Sequence, residues 1–315
     1  MNSGMLARAA ALACAMLAAM WSVGCETNPT TSRSQLLLMS LSQESELGAQ
    51  AKPQMLAEFG GAMARADINT YVSGVGRRLL GPAIERDQRM AAFQWEFLVL
   101  DSDVINAFAL PGGKVFISRG LMQKMNNEAQ LAAVLGHEVG HVMARHGNER
   151  VSRSLAADLG LQVASNVLGG SQSGQIISEV ASQSTTLFLM SYDRRQESES
   201  DSLGSEYMVE VKYDPMGAVQ VMEILQEASK GNSPPEILST HPDPGRRAED
   251  LRRKIAEQFA HTQGNPEYQL KPDEFRSNVL RKITRAYPHA GEPRWAGAED
   301  LVPEGAIGVL DACAD

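Results

Sequence analysis

Two histidines and a glutamate stand together in the segment GHEVGH at residues 136–141. His137 and His141 are four residues apart, and Glu138 follows the first histidine. Side chains four apart on a helix project from the same face, so both imidazoles point in one direction. Two neutral imidazoles so placed, with a glutamate that reaches a water held by the metal, are typical of zinc hydrolases. We predict one Zn²⁺ per chain, bound by His137 and His141, with Glu138 as general base.

The residues around this motif predict a buried helix. Asn127 is suited to cap its start, with Gln130 at the third helical position, and Gly147 is suited to end it. Histidines buried in such a helix need polar partners, so the alternative of two histidines bonded only to backbone is the weaker one. The apolar positions run almost all round this helix, as expected of a buried one: Leu131, Val134, Leu135, Val139 and Val142.

A third ligand is needed, and the sequence offers it downstream. His146 would lie about 180° from His137 on the same helix, so we do not expect it to bind the metal. The segment YDRRQESESDSLG at 192–204 places Glu197 and Asp201 four apart. One carboxylate can bind zinc while the other orients a ligand histidine, although a charge-rich helix is more often a solvated face. We predict Glu197 as the third zinc ligand.

Composition limits the class of protein. The chain has 315 residues, of which 43% are hydrophobic, enough for one sizeable core or two modest ones. Its formal net charge is −9. An acidic surface repels phosphate backbones, so we predict no nucleic-acid partner.

The first 24 residues look like a bacterial lipoprotein signal peptide. Arg8 precedes an apolar run, 9–23, that is shorter than the roughly 20 residues a membrane-spanning helix needs. Small residues then lead to Cys25, although Ser22 stands where such signals usually carry leucine. We predict cleavage before Cys25 and lipidation of its thiol. An ordinary secretory signal with a chance cysteine is the alternative.

This N-terminus also predicts a location and a domain plan. Glu26 after the cysteine resembles the pattern sorted to the outer membrane, so we predict a lipoprotein at the periplasmic face of a bacterial outer membrane, or else a soluble periplasmic protein. Residues 26–35 are polar, and we predict that residues 25–40 form a lipidated tether. We expect the catalytic domain at 41–287 and a flexible tail at 288–315.

Local patterns predict an α+β fold that is mainly helical. Residues 93–100 are rich in aromatic and branched side chains and indicate a strand. Two apolar runs joined by PGG at 111–113 indicate a hairpin. Together they predict a small antiparallel sheet beside the motif helix.

Several stretches together resemble one enzyme family. The HEVGH motif followed by Glu197-x-x-x-Asp201 is similar to the HtpX-like and CAAX-prenyl-endopeptidase metallopeptidases, family 48 of the metallopeptidases. The segments NAFALPGGKVFISRGLM (106–122), HVMARHGNER (141–150) and STHPDPGRR (239–247) agree with that family. The resemblance covers roughly residues 35–260 and implies a zincin-type domain with an HExxH active-site helix.

The resemblance also implies residue roles. It assigns zinc to His137, His141 and Glu197, and makes Asp201 the partner that orients a ligand. His241 would stabilise the oxyanion or cap the metal, with Arg247 supporting it. An extended substrate would pair with an edge strand within 104–110. The residues predicted to bind substrate there are Asn106, Ala107, Phe108 and Ala109.

The predicted activity is that of a zinc-dependent endopeptidase. Main-chain pairing reads little side-chain sequence, which suits extended, unfolded or misassembled envelope proteins as substrates. The alternative is an outer-membrane chaperone or assembly factor whose zinc site His241 normally closes.

Overall fold

The computed structural model describes residues 25–154, 190–231 and 234–286. The predicted signal peptide, the predicted tail and most of 151–190 lie outside these ranges. The described elements are β1 (Cys25–Thr27), β2 (Ser34–Leu36), α1 (Leu41–Glu58), α2 (Ala66–Arg86), a 3-10 turn (Gln88–Ala92), β3 (Glu96–Leu100), β4 (Ala107–Leu110), β5 (Lys114–Ser118), α3 (Arg119–Met122), α4 (Glu128–Met143), α5 (Arg194–Glu210), α6 (Met216–Ala228), α7 (Ile237–Thr240), α8 (Pro244–Gln258), a 3-10 turn (Ala260–Thr262), α9 (Pro272–Phe275), a π turn (Arg276–Leu280) and α10 (Arg281–Ala286). The mainly helical fold with small sheets confirms the predicted class.

The motif helix α4 lies in the middle of the core. All of its residues are buried, and the side chain of Asn127 accepts a hydrogen bond from the Gln130 amide at 3.0 Å, as predicted. Apolar side chains of α2, the sheet, α5, α6 and α8 pack around it in the larger of two clusters. A smaller cluster lies between α1 and the sheet and includes Met55, Phe108 and Phe116.

The predicted end of α4 is wrong. The helix stops at Met143 instead of reaching Gly147, because Arg145 adopts a left-handed backbone with φ of 54°. The Arg145 guanidinium donates at 2.7 Å both to Glu44 and to the Met39 carbonyl. These contacts come from a segment about 100 residues earlier in the chain, and they hold a conformation that costs a non-glycine residue energy.

The predicted tether is an ordered hairpin. Strands β1 and β2 pair antiparallel and lie against the end of α4. The side-chain amide of Asn28 donates to the Met143 carbonyl at 3.1 Å, and that of Gln35 donates to the Ala144 carbonyl at 2.8 Å. A helix end leaves carbonyls without partners, so residues 25–40 stay docked because they cap α4.

A buried ion pair fixes this hairpin further. Arg33 holds both oxygens of Glu149 at 2.7 Å, and the Glu149 side chain is almost fully buried. Burial opposes ionisation of Glu149, but hydrogen bonds from Arg33, Gln35 and Gln196 outweigh it and lower the pKa of Glu149 to about 2.

This pKa shift predicts acid sensitivity. A carboxyl with a depressed folded-state pKa adds stability above its unfolded value, near pH 4.5, and that stability is lost as pH falls towards 2. As pH falls from 5 to 3, we expect Glu149 to lower the free energy of unfolding by about 2 kcal/mol. Urea unfolding at both pH values measures it. Glu149→Gln should lose that much less stability over this interval, and an equal loss in both proteins would contradict the assignment.

The three-stranded sheet is mixed, not antiparallel as predicted. Its order is β3-β5-β4, with β3 parallel to β5 and β4 antiparallel to β5. The predicted hairpin between β4 and β5 is confirmed, and its turn requires positive φ at Gly112 and Gly113. Strand β4 therefore lies at an edge of the sheet, beside α4.

Helices α4 and α5 cross in close contact through glycines. A Cβ on Gly204 would lie 2.9 Å from the Gly136 carbonyl carbon and from the His137 nitrogen. The Ser200 hydroxyl donates to the His137 carbonyl at 2.5 Å, one turn away on the same face. This contact sets the distance between the two helices that carry the predicted ligands.

We expect Gly204→Ala to destabilise the fold and weaken metal binding, since the added methyl meets backbone that cannot yield. Overpacking of this kind costs about 1–3 kcal/mol. Gly74→Ala is the matched control, because its Cβ meets nothing within 4 Å on α2. That change should stabilise by about 0.5–1 kcal/mol, the usual gain of alanine over glycine in a helix. Urea unfolding of the two variants should give opposite signs.

Candidate metal centre and active site

Two helices and one loop bring four donors together. Within the described ranges, ligand atoms of His137, His141, Glu197 and His241 all lie within 4.8 Å of one another, and all four residues are buried. The Nε2 atoms of His137 and His141 are 3.0 Å apart. Glu197 lies on α5, whose start is fixed by a capping box between Asp193 and Gln196.

The spacing of the donors suits a tetrahedral metal ion. His241 Nδ1 is 3.2 Å from His137 Nε2 and 2.9 Å from Glu197 Oε1. Glu197 oxygens lie 3.3 Å from His141 Nε2 and 3.7 Å from His137 Nε2. Ligands about 2.0–2.1 Å from a tetrahedral zinc ion are about 3.3–3.4 Å from each other. The donor set therefore fits zinc, with His241 at the fourth corner.

Charges around His141 and Glu197 favour the forms that bind metal. Burial and Arg247 oppose protonation of His137, but Glu197 and Asp201 outweigh them and raise its pKa. Burial, and then the neighbouring His137, lower the pKa of His141 well below its usual value, so this imidazole is neutral. Burial opposes ionisation of Glu197, but His241, Arg247 and His137 together lower its pKa well below the usual range. Neutral imidazole and ionised carboxylate are the ligand forms of zinc.

Glu138 stands beside this cluster, and within the described ranges it has no hydrogen-bond partner. Neither of its buried carboxylate oxygens is hydrogen-bonded to these residues, nor is Nε2 of His241, which lies 3.6 Å from Glu138. Burial is the main cause that raises the pKa of Glu138, against the nearby His241 and His137. A buried carboxylate left unpaired is costly and is retained where it has a chemical use. These groups face a narrow cleft with mainly apolar walls, among them Val134, Val221 and Leu225.

Asp201 and Arg247 contact the donors His137 and Glu197. Asp201 Oδ1 is 2.9 Å from His137 Nδ1, the arrangement that fixes the orientation of a ligand histidine. Arg247 contacts Glu197 at 2.5 Å and Asp201 at 2.6 Å. Its buried guanidinium pairs with two carboxylates and lies 3.3 Å from His137 Nδ1, and Arg247 lines the same cleft as Glu138.

The match to known proteins agrees with this geometry. A family model described as Peptidase family M48 matches residues 68–255, more than half of the chain. The chain belongs to peptidase family M48. The family predicted from the motifs is thereby confirmed.

Curated M48 relatives include enzymes from mitochondria and from bacteria. The chain is 30% identical to the mitochondrial metalloendopeptidase OMA1 of Schizosaccharomyces pombe, over 75% of this chain and 66% of the relative. It is 33% identical to the mitochondrial metalloendopeptidase OMA1 of Arabidopsis thaliana, over 51% of this chain and 32% of the relative. It is 28% identical to the beta-barrel assembly-enhancing protease of Escherichia coli K12, over 78% and 50%. The chain thus spans between a third and two thirds of these relatives' lengths.

The predicted location at a bacterial outer membrane is contradicted. The chain is similar to relatives that are named as mitochondrial. The chemistry of a buried metal centre is the same in every cellular compartment, so the site does not indicate a location. Within the described ranges, no helix is both long and apolar enough to cross a bilayer. Cys25 is the first residue of β1, opposite Leu36, and its lipidation stays a prediction.

The sequence reading of this M48 site missed His146. Because α4 ends early, the chain turns at Arg145 and brings His146 Nδ1 to 2.8 Å from His141 Nδ1. His146 Nε2 is 2.9 Å from Glu199, which lies on α5 between Glu197 and Asp201. Tyr192, also missed, stacks on the His141 ring at 3.8 Å. Because the helix ends at Met143, angles counted along a continuous helix do not describe where later residues lie. These contacts therefore could not be predicted from the sequence.

The residues predicted to bind substrate lie on or beside the edge strand. Ala107, Phe108 and Ala109 belong to β4, with buried side chains, and Asn106 precedes it. The Ile105 carbonyl accepts a hydrogen bond from the Ile237 amide at 3.2 Å, next to the segment that carries His241. Substrate binding at this edge stays a prediction.

Proposed function

We propose that this M48 protein is a zinc-dependent endopeptidase that cuts extended segments of unfolded or misassembled proteins. The observation that carries the proposal is Glu138, a buried carboxylate beside four converging donors that has no hydrogen-bond partner among the described residues. His137, His141 and Glu197 would hold the zinc ion. A bound zinc ion supplies a Lewis acid that polarises the peptide carbonyl and makes a water acidic near neutral pH.

Glu138 performs the proton transfers of hydrolysis. Its carboxylate takes a proton from the water whose oxygen adds to the carbonyl carbon. When the carbon–nitrogen bond breaks, the same group delivers that proton to the leaving amine. The apolar walls around Glu138 exclude bulk solvent from the reacting water and substrate. A low local polarity strengthens the electrostatic interactions of these groups.

The substrate class follows from how a chain would reach Glu138. A segment added to the edge of β4 would be read through its main chain, so folded proteins would be excluded and sequence preference would be weak. One relative is named a beta-barrel assembly-enhancing protease, which supports misassembled chains as a substrate class.

Metal removal tests the proposal. The purified chain should cleave unfolded casein, lose that activity with a zinc chelator and regain it when zinc is restored. A stably folded protein of similar size serves as the resistant substrate. Casein cleavage that persists in zinc-free protein would refute the proposal.

A second candidate, a chaperone or assembly factor with a closed zinc site, is favoured by His241 at the fourth corner. Under this reading the parent binds unfolded chains but does not cut them. His241→Ala separates the two roles given to His241. Cleavage should rise if His241 closes the site, and fall if His241 stabilises the oxyanion.

A further inference from the structure

The two ligand histidines on α4 are supported in different ways. His137 Nδ1 meets a carboxylate directly, Asp201, at 2.9 Å. His141 Nδ1 meets a second imidazole instead, that of His146, at 2.8 Å. His146 is fully buried and lies outside the donor cluster, so the hydrolysis described above gives it no role.

The contacts of His141 fix where each proton lies. Its Nε2 faces the donor cluster, 3.3 Å from Glu197, so this nitrogen must be free of hydrogen to bind metal. The proton of neutral His141 is then on Nδ1 and is donated to Nδ1 of His146. His146 must therefore carry its own proton on Nε2, which lies 2.9 Å from Glu199 Oε2. Both hydrogen bonds run in one direction, from the ligand towards a carboxylate.

The carboxylate at the end is itself held in place. Arg33 Nε donates to Glu199 Oε1 at 2.8 Å, and the same guanidinium holds Glu149. Arg33 belongs to the hairpin of β1 and β2, so this hairpin is joined to His141 by an unbroken series of hydrogen bonds. An arginine also clamps Asp201 behind His137, so each ligand histidine is backed by a carboxylate with its own arginine.

We propose that His146 and Glu199 are positioning residues for the metal ligand His141, and that the N-terminal hairpin stabilises this relay through Arg33. The inference rests on the metal site of the proposed function. The relay orients the His141 ring, selects the tautomer that leaves Nε2 free, and makes that nitrogen a better donor. Partners of this kind typically contribute 10–100-fold to metal affinity.

Zinc affinity of the full chain, measured by competition with a chromophoric chelator, tests the relay. His146→Leu should bind zinc about 10–100-fold more weakly than the parent. His146→Asn keeps an acceptor near the position of Nδ1 and should recover most of that affinity. Arg33→Met should give a smaller loss. Equal affinity in the parent and in folded His146→Leu would overturn the proposal.

Glu128→Gln provides the matched control for Glu199→Gln. Glu128 is a buried carboxylate at the start of α4 that accepts hydrogen bonds from Tyr213 and Arg78, far from the donors. Glu199→Gln should weaken zinc binding, whereas Glu128→Gln should lower stability without changing zinc affinity. Equal zinc affinities in these two variants would mean that Glu199 has only a structural role.

Histidine tautomers of the zinc-loaded chain give a second readout that does not depend on activity. The chain has six histidines, so selective ¹⁵N labelling gives a simple spectrum. His146 should carry its proton on Nε2 and His141 on Nδ1, and the opposite tautomer at His146 would overturn the relay. A parent that binds no zinc would overturn both this proposal and the proposed function. A parent that binds zinc with unchanged affinity in His146→Leu would overturn the relay alone.

Discussion

Replacing Glu138 by glutamine should abolish peptide hydrolysis while leaving zinc bound and the metal-free fold at least as stable. Loss of the general base should lower kcat by about 10²–10⁴-fold. Stability should not fall, because both buried Glu138 oxygens lack hydrogen bonds to the part of the chain that the structure describes, and a neutral amide costs less free energy to bury than a carboxylate. Casein cleavage, zinc content and urea unfolding of the metal-free protein measure the three quantities.

Glu128→Gln should behave in the opposite way. Glu128 is as deeply buried on the same helix, but Tyr213 and Arg78 donate to it. Its loss should therefore destabilise the fold while hydrolysis stays close to that of the parent. If Glu138→Gln still cuts casein at the parental rate, Glu138 is not the base.

Replacing Arg247 by methionine should cause the largest loss of stability. The change leaves Glu197 and Asp201 buried without their shared cation, and removing one partner of a buried pair costs about 3–5 kcal/mol. The loss should be greatest in metal-free protein, since bound zinc neutralises Glu197 in its place. Urea unfolding with and without zinc measures both values.

Arg252→Met is the control on the same helix. Arg252 pairs with Glu223, but both side chains are about half exposed, and such pairs contribute about 0–1 kcal/mol. Similar losses in the two variants, or a loss in Arg247→Met that zinc does not reduce, would contradict the role assigned to Arg247.

Features with a local cause could be predicted from the sequence. The start of α4 followed from Asn127, and His137 and His141 followed from their spacing on one helical face. Glu197 and Asp201 were found in the same way on a second helix, and the structure brings these four residues together. Helix caps and helical periodicity depend on a few neighbouring residues. These features could therefore be predicted without the tertiary structure.

Features that depend on distant partners could not be predicted. The end of α4 depends on Arg145, whose left-handed turn is held by Glu44 from α1. That turn decides where His146 lies. Residues 25–40 were predicted to form a tether because nothing in the sequence around Asn28 indicates the α4 carbonyl that it caps. The parallel pairing of β3 with β5 likewise depends on packing beyond the hairpin.

The proposed hydrolysis requires one metal ion, held by His137, His141 and Glu197, beside the general base Glu138. Zinc content combined with a zinc X-ray absorption spectrum of the purified chain tests it most directly. We expect about one zinc per chain, bound by imidazole nitrogen and carboxylate oxygen, and a loss of that zinc in Glu197→Ala. A chain without stoichiometric zinc, or zinc bound by the sulfur of its cysteines, would contradict it.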